Sequence, residues 1–193
     1  MAELLQIHST DIFIDNLNLD NTLLAKYCYD ELKLSNGRQI SNEGGWQSND
    51  MMENGKFFPL VKEIEKKCIS LKEHFYYTSK VKFVVTEAWI NINKKFNFNW
   101  KHSHIPSKWS AIYYIQTNQE SGSLVLYSAE NLREITFPRK LIEKYHACNC
   151  SQYSLNPLPG QLIFFPGYLE HKVMPNLSDI DRISMAFNIA FNV

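Results

Sequence analysis

The stretch "PGQLIFFPGYLEHKVMPNLSDIDRISMAFNI", residues 159–189, decides how the chain folds. Leu162 to Phe165 form a short apolar run stopped by Pro166-Gly167, and a second run, His171 to Met174, ends at Pro175-Asn176. The polar segment 176–180 predicts a turn, and Arg182 to Ile189 predict the strand after it. Strand side chains alternate between two faces. Arg182, Ser184, Ala186 and Asn188 therefore share one face, and Ile183, Met185, Phe187 and Ile189 the other. A face that reads Arg, Ser, small, Asn is an unusual solvated surface; in a core sheet it lines a cavity. With a hairpin turning near 178–179, His171 falls opposite roughly residue 186, on that polar face. An imidazole then stands at one end of the cavity and a guanidinium toward the other.

Further out, "NWKHSHIPSKWSAIYYI" at 99–115 sets His102 and His104 two apart, ahead of alternating aromatic and aliphatic side chains. If 99–105 is extended, the two histidines share a face, and His171 adds a third imidazole from another strand. Three such imidazoles make a facial ligand set for Fe(II) or another divalent ion, with positions left open for substrate and dioxygen. Arg182, with a hydroxyl two residues on, suits a bidentate carboxylate clamp. Plainer readings stand beside these. His102 and His104 could be a rim pair bonded to loop backbone, Arg182 could bridge to Asp179 or Asp181, and Tyr114 could simply pack.

From residue 81 onward, "VKFVVTEAWINI", "WSAIYYIQ", "GSLVLYS", "GQLIFF" and "DRISMAFNIAFNV" are short β-type runs separated by turn residues. That pattern predicts a sandwich or jelly roll, with a short helical turn around 138–147. Ahead of it, Asp20 or Asn21 can cap a helix carrying Leu23, Leu24, Tyr27, Cys28, Leu32 and Leu34. A second helix follows Pro59, with Leu60, Ile64, Cys68, Leu71 and Phe75 along one stripe. Between them, "SNGRQISNEGGWQSND" reads as an ordered loop whose Trp46 packs onto something. The expected organisation is one domain over 1–193: a helical and loop part, 1–80, packed on a jelly-roll core, 81–193.

At 45% hydrophobic and 13% aromatic, 193 residues can bury a sizeable core, which excludes a disordered chain. Twenty basic and twenty acidic side chains cancel, so no global field steers the protein toward nucleic acid or an anionic membrane. Its apolar runs are too short to span a bilayer, and "MAELLQIHSTDIF" has no basic segment followed by an apolar one, so no signal peptide is expected. The four cysteines then read as reduced thiols, with Cys28 and Cys68 inside helical core patterns. "HACNC" at 146–150, holding Cys148 and Cys150, lacks the paired ligands and spacing of a zinc site. His8 and His74 stand alone, Glu87 has no assignable role, and Glu170 should point away from the face of His171.

His171 followed by Arg182-Ile-Ser184 resembles the distal-histidine and Arg-x-Ser signature of the 2-oxoglutarate/Fe(II)-dependent oxygenases. The wider set, "SNEGGWQS", "HSH" with "SAIYYI", "SGSLVLYS", "PGQLIFFPGYLEHKVMPN" and "DRISMAFN", resembles a subgroup of that superfamily common in marine bacteria and their phages. The resemblance implies a mainly β protein with flanking helices, a double-stranded β-helix (jelly roll, cupin-like). It implies Fe(II) and 2-oxoglutarate as cofactors. It also implies oxidation, usually hydroxylation, of an unidentified substrate by dioxygen, with 2-oxoglutarate converted to succinate and CO2. Carried over by motif, His102 and His171 match the first and distal metal ligands, and Arg182, assisted by Ser184, matches the partner of the far carboxylate. Tyr114 matches a further hydrogen bond to that carboxylate, and Asn188 the metal-proximal wall.

His104 stands where the superfamily usually has a carboxylate, though the subgroup it resembles often carries His-x-His. A three-histidine site has one more net positive charge than a two-histidine, one-carboxylate site. Two other function classes fit the residues: a cupin-type three-histidine metal protein that does not use 2-oxoglutarate, and a non-catalytic phage jelly-roll module. The expected location is the cytoplasm, that of the bacterial host for a phage-borne chain.

Overall fold

The computed structural model describes residues 10–129, 133–146 and 149–192; His8 and Cys148 lie outside the described residues. In chain order the elements are β1 (Phe13–Asn16), α1 (Asn21–Leu34), β2 (Asn42–Glu43), β3 (Trp46–Gln47), α2 (Phe58–His74), β4 (Lys82–Asn93), β5 (Phe98–His102), β6 (Trp109–Gln116), β7 (Leu124–Tyr127), α3 (Arg133–Thr136), β8 (Gln152–Leu155), β9 (Gln161–Pro166), β10 (His171–Val173) and β11 (Arg182–Asn192). A single 3-10 turn, Arg139–Leu141, falls within the segment expected to hold one. The strands form two antiparallel sheets, ordered β1-β9-β6-β11-β4-β3 and β2-β5-β10-β7-β8. This is the mainly β jelly roll with flanking helices that the sequence predicts.

Both long helices begin where their side chains dictate. The Asp20 carboxylate accepts from the Leu23 amide at 2.9 Å, satisfying a donor that the first turn of α1 would leave unpaired. Pro59 sits in the first turn of α2, where its missing N–H is not needed. Leu24 and Cys28 of α1, with Leu60, Ile64, Cys68 and Leu71 of α2, are buried against the sheet built around β11. They meet Ile183, Met185, Phe187 and Ile189 there, so the apolar half of the β11 alternation faces the helices.

The other half of that alternation faces the second sheet. Arg182 is in register with Asn93, Ser184 with Asn91 and Tyr114, Ala186 with Trp89 and Ile112, and Asn188 with Glu87 and Ser110. Next to Asn188 the β4–β11 ladder has a bulge: Asn188 pairs with Glu87, but Ile189 pairs with Val85. The extra residue, Thr86, inverts the alternation of β4. Val85 packs on the helix side, while Glu87, Trp89, Asn91 and Asn93 share the face of Arg182.

The hairpin expected near 178–179 is absent. β10 and β11 do not form a hairpin; they belong to opposite sheets. His171 pairs with His102 on one side and Leu126 on the other, and so looks at the polar face of β11 across the sandwich instead of lying beside it. The segment that crosses between the sheets is pinned by Asn176. Its buried amide donates to the Asn93 and Ile180 carbonyls and accepts from the Ser178 amide. Gly122 lets the neighbouring loop pass: it has φ 82°, and a Cβ there would collide with the Met174 carbonyl.

Candidate active site

Three elements bring three imidazoles together. His102 closes β5, His171 opens β10 directly opposite, and His104 lies just past β5, where its own amide donates to the Gly167 carbonyl at 2.8 Å. Ring centroids are 4.3 Å apart for His102 and His171, 4.9 Å for His104 and His171, and 5.2 Å for His102 and His104. One nitrogen of each ring lies within 4.8 Å of those of the other two.

The hydrogen bonds decide which nitrogen that is. Nδ1 of His102 donates to the Trp100 carbonyl at 2.6 Å, and Nδ1 of His171 to the Leu169 carbonyl at 2.9 Å. A carbonyl oxygen only accepts, so both Nδ1 atoms carry the proton. Nδ1 of His104 lies 2.9 Å from Asn188 Oδ1. Asn188 Nδ2 is committed to the Glu87 carboxylate at 2.9 Å, which fixes the amide so that Oδ1 accepts from His104. All three rings therefore keep Nε2 as the free lone pair, the arrangement seen where histidine binds a cation.

Burial also keeps the rings neutral. It lowers the pKa of His102, lowers that of His104 to about 4 with help from His102, and holds His171 well below the ordinary value of 6.5. Three neutral imidazoles with converging lone pairs and no donor between them fit a divalent cation.

A cavity runs from these histidines to Arg182 and takes in Asn91, Asn93, Tyr114 and Ser184. Arg182 is 1% exposed. Its Nη1 donates to the Ser121 and Met174 carbonyls, while Nη2 has no partner. Among the described residues no carboxylate pairs with it; Asp179 is bound to Lys95, and Asp181 accepts from Tyr29. Burial pulls its pKa down from 12.5 to about 10. Tyr114, also 1% exposed, has an unpaired hydroxyl and a pKa pushed up by burial. A buried guanidinium and a buried phenol, each with an unused donor, suit a carboxylate reaching the end of the cavity.

The structure brings His102, His104, His171, Arg182, Tyr114 and Ser184 onto this one cavity. Asn188 stands behind His104 as its hydrogen-bond partner. Sequence reasoning missed Asn91 and Asn93, and it left Glu87 without a role. The signal lay in "EAWININ", where Glu87, Trp89, Asn91 and Asn93 alternate with Ala88, Ile90 and Ile92.

Residues 87–188, just over half of the chain, match the model of a family described as "Putative 2OG-Fe(II) oxygenase". The chain belongs to the 2OG-Fe(II) oxygenase family. It is an oxygenase with Fe(II) and 2-oxoglutarate as cofactors and dioxygen as cosubstrate. Solved 2OG-Fe(II) oxygenases share its fold. A Pseudomonas putida prolyl-4-hydroxylase is 15% identical, covers 93% of this chain and 92% of its own, and gives a TM-score of 0.63. The viral collagen prolyl hydroxylase of Paramecium Bursaria Chlorella virus-1, solved with 2-oxoglutarate, is 15% identical over 94% of this chain and 96% of its own, with a TM-score of 0.59. HygX from Streptomyces hygroscopicus, with nickel and 2-oxoglutarate bound, is 12% identical over 94% and 83%, with a TM-score of 0.62. No curated protein sequence matches the chain. Among the described residues no helix is long and apolar enough to cross a membrane.

Proposed function

We propose that His102, His104 and His171 hold Fe(II) through Nε2, and that Arg182, Tyr114 and Ser184 hold the far carboxylate of 2-oxoglutarate. The observation that carries this reading is the pairing of opposites along one cavity: three free lone pairs at one end, and a buried guanidinium whose Nη2 has no acceptor at the other. Fe(II), when bound, supplies the coupled oxidation in which dioxygen converts 2-oxoglutarate to succinate and CO2 and delivers the second oxygen atom to the substrate.

The chain's own residues bind, orient and exclude water. The Trp100 and Leu169 carbonyls fix two ligand tautomers. Two main-chain carbonyls hold the Arg182 guanidinium still, so Nη2 is aimed before the ligand arrives and little order is lost on binding. Ile112, Val173 and Ala186 give the cavity apolar walls, where a single charge-assisted hydrogen bond counts for more than in water. In the same reading the helices and the jelly roll act as one unit. The buried, free thiols Cys28 and Cys68 suit the reducing cytoplasm, and the resemblance of the motifs from "SNEGGWQS" to "DRISMAFN" supports membership of the marine and phage subgroup.

The test is an anaerobic titration of metal-free protein with Fe(II) and then 2-oxoglutarate. A visible metal-to-ligand charge-transfer band should form, succinate should appear on admitting oxygen, and both should vanish in His171→Ala. Metal binding without the band, and without any 2-oxoglutarate binding for Arg182→Ala to weaken, would instead favour a three-histidine protein that does not use 2-oxoglutarate.

A further inference from the structure

Behind His104 runs a chain of hydrogen bonds that no other ligand has. Nδ1 of His104 donates to Asn188 Oδ1 at 2.9 Å, Asn188 Nδ2 donates to Glu87 Oε2 at 2.9 Å, and Glu87 Oε1 accepts from Arg38 Nη2 at 2.8 Å. His102 and His171 are bonded to main-chain carbonyls, which cannot be varied and carry no charge. An unbroken β4–β11 register, from Arg182 and Asn93 to Asn188 and Glu87, puts Glu87 on the face of Asn188, and the bulge begins only beyond that pair. Trp89 adds a second support: its ring lies 5.4 Å from that of His104 and 5.7 Å from the Arg38 guanidinium. Arg38 is itself anchored on the loop between α1 and β2, where its amide donates to the Gln47 carbonyl at 2.8 Å.

We propose that Glu87, acting through Asn188, holds His104 in its ligating tautomer and gives the three-imidazole site the negative charge that a directly bound carboxylate would otherwise bring. This inference rests on His104 being a metal ligand. Three neutral ligands leave the full charge of a divalent cation uncompensated in a partly buried place. A carboxylate two hydrogen bonds away lowers that cost, and it also makes Nε2 a better donor by drawing on the Nδ1 proton. Without an acceptor at Nδ1, His104 could carry its proton on Nε2, which blocks the metal. Asn188 is suited to the relay because it accepts on one side and donates on the other, so it points the imidazole N–H and the carboxylate toward each other without a proton of its own to lose. Asn188 and Glu87 are thus positioning residues, not ligands.

The experiment is a competition titration of the metal-free full-length protein with Co(II), a redox-stable stand-in for Fe(II), read by its visible absorption. His104→Ala should lose at least tenfold in affinity. Asn188→Ala and Glu87→Gln should each lose about tenfold, with a changed Co(II) spectrum, while thermal melts show the fold retained. Glu87→Gln keeps the shape of the half-buried side chain, so it isolates the charge.

The deciding variant is the double substitution Asn188→Asp with Glu87→Gln. It keeps every hydrogen bond, since the new carboxylate accepts from His104 and the new amide donates to that carboxylate, and it moves the charge one residue closer to the metal. The proposal requires the double variant to bind Co(II) more tightly than Asn188→Ala or Glu87→Gln. A double variant no tighter than the singles, or singles that bind like the unaltered protein, would overturn the relay. An unaltered affinity in His104→Ala would overturn the three-histidine reading as well.

Discussion

The two faces of the sheet built around β11 are made from the same strands and serve different ends. Toward the helices, Ile183, Met185, Phe187 and Ile189 meet the apolar stripes of α1 and α2, and no buried side-chain polar atom there lacks a partner among the described residues. Toward the second sheet, the unpaired buried atoms are Nε of Arg38, Oε1 of Gln47, Nδ2 of Asn93, Oγ of Ser110, Oη of Tyr114 and Nη2 of Arg182, all on that face or on the loop covering it. An unsatisfied buried polar group costs about 1–3 kcal/mol. One face is therefore saturated and stabilises the fold; the other keeps unmet bonds that a ligand can complete. Period-two alternation lets one strand do both, because each residue answers to only one side.

The largest effect should come from the saturated face. Phe187→Ala removes a fully buried ring from the helix side, and large-to-small changes of this kind cost about 3–5 kcal/mol. Chemical denaturation should show the full loss in midpoint, and the folded fraction should still bind Co(II) and 2-oxoglutarate as before. A variant that keeps its stability but loses ligand affinity would break the division between the faces.

How far this was readable from residues follows from the same alternation. The polar and apolar halves of β11 were legible because one uninterrupted strand displays both, and the helix caps and stripes because their signals are local. Pairing partners were not. Period two says which face a side chain takes but not which sheet the strand joins, so the sequence places His171 in a hairpin while residues 174–181 in fact cross to the other sheet. The imidazole still reached the polar face, which is why the cavity survived the wrong register. Glu87 was unreadable for a different reason. Its face follows from the alternation of "EAWININ", but its role depends on Arg38 and Asn188, which lie 49 and 101 residues away in the chain. The strands β1, β2, β3 and β8 have two to four residues each, too few to show a period.

A smaller effect, on the opposite observable, belongs to the cavity face. Arg182→Met should weaken 2-oxoglutarate binding by about 10- to 100-fold, since a hydrogen bond to a charged group is worth roughly 1.5–3 kcal/mol. Stability of the ligand-free protein should change less than in Phe187→Ala, because the lost bonds to the Ser121 and Met174 carbonyls are offset by removal of a charge whose burial is unfavourable. In the unaltered, metal-loaded protein, saturating 2-oxoglutarate should raise the melting temperature, and at the same ligand concentration that rise should be smaller in Arg182→Met. Co(II) affinity should stay as it was. A fall in metal affinity would merge the two ends of the cavity into one structural effect and remove the case for a separate carboxylate site.

An effect that is nil at neutral pH sharpens the comparison by pH. Cys28 and Cys68 sit on the saturated face, and burial pushes both thiols up from 9.0 to about 12. Between those values the unfolded chain releases the two protons while the folded one keeps them. The thiols' contribution is thus fully present below pH 9, falls as pH rises, and stops falling near pH 12. Each thiol adds a slope of up to about 1.4 kcal/mol per pH unit in that window. Other groups titrate there as well, so the measurement is a difference: unfolding free energy against pH for the unaltered protein and for Cys28→Ala. Replacing the cysteine shifts the whole curve through lost packing, but only removal of the ionisation flattens it above pH 9. Curves that stay parallel from pH 8 to pH 10.5 would mean that the thiol reaches water more easily than its surroundings imply, and that the helix side is less tightly closed than the cavity side is open.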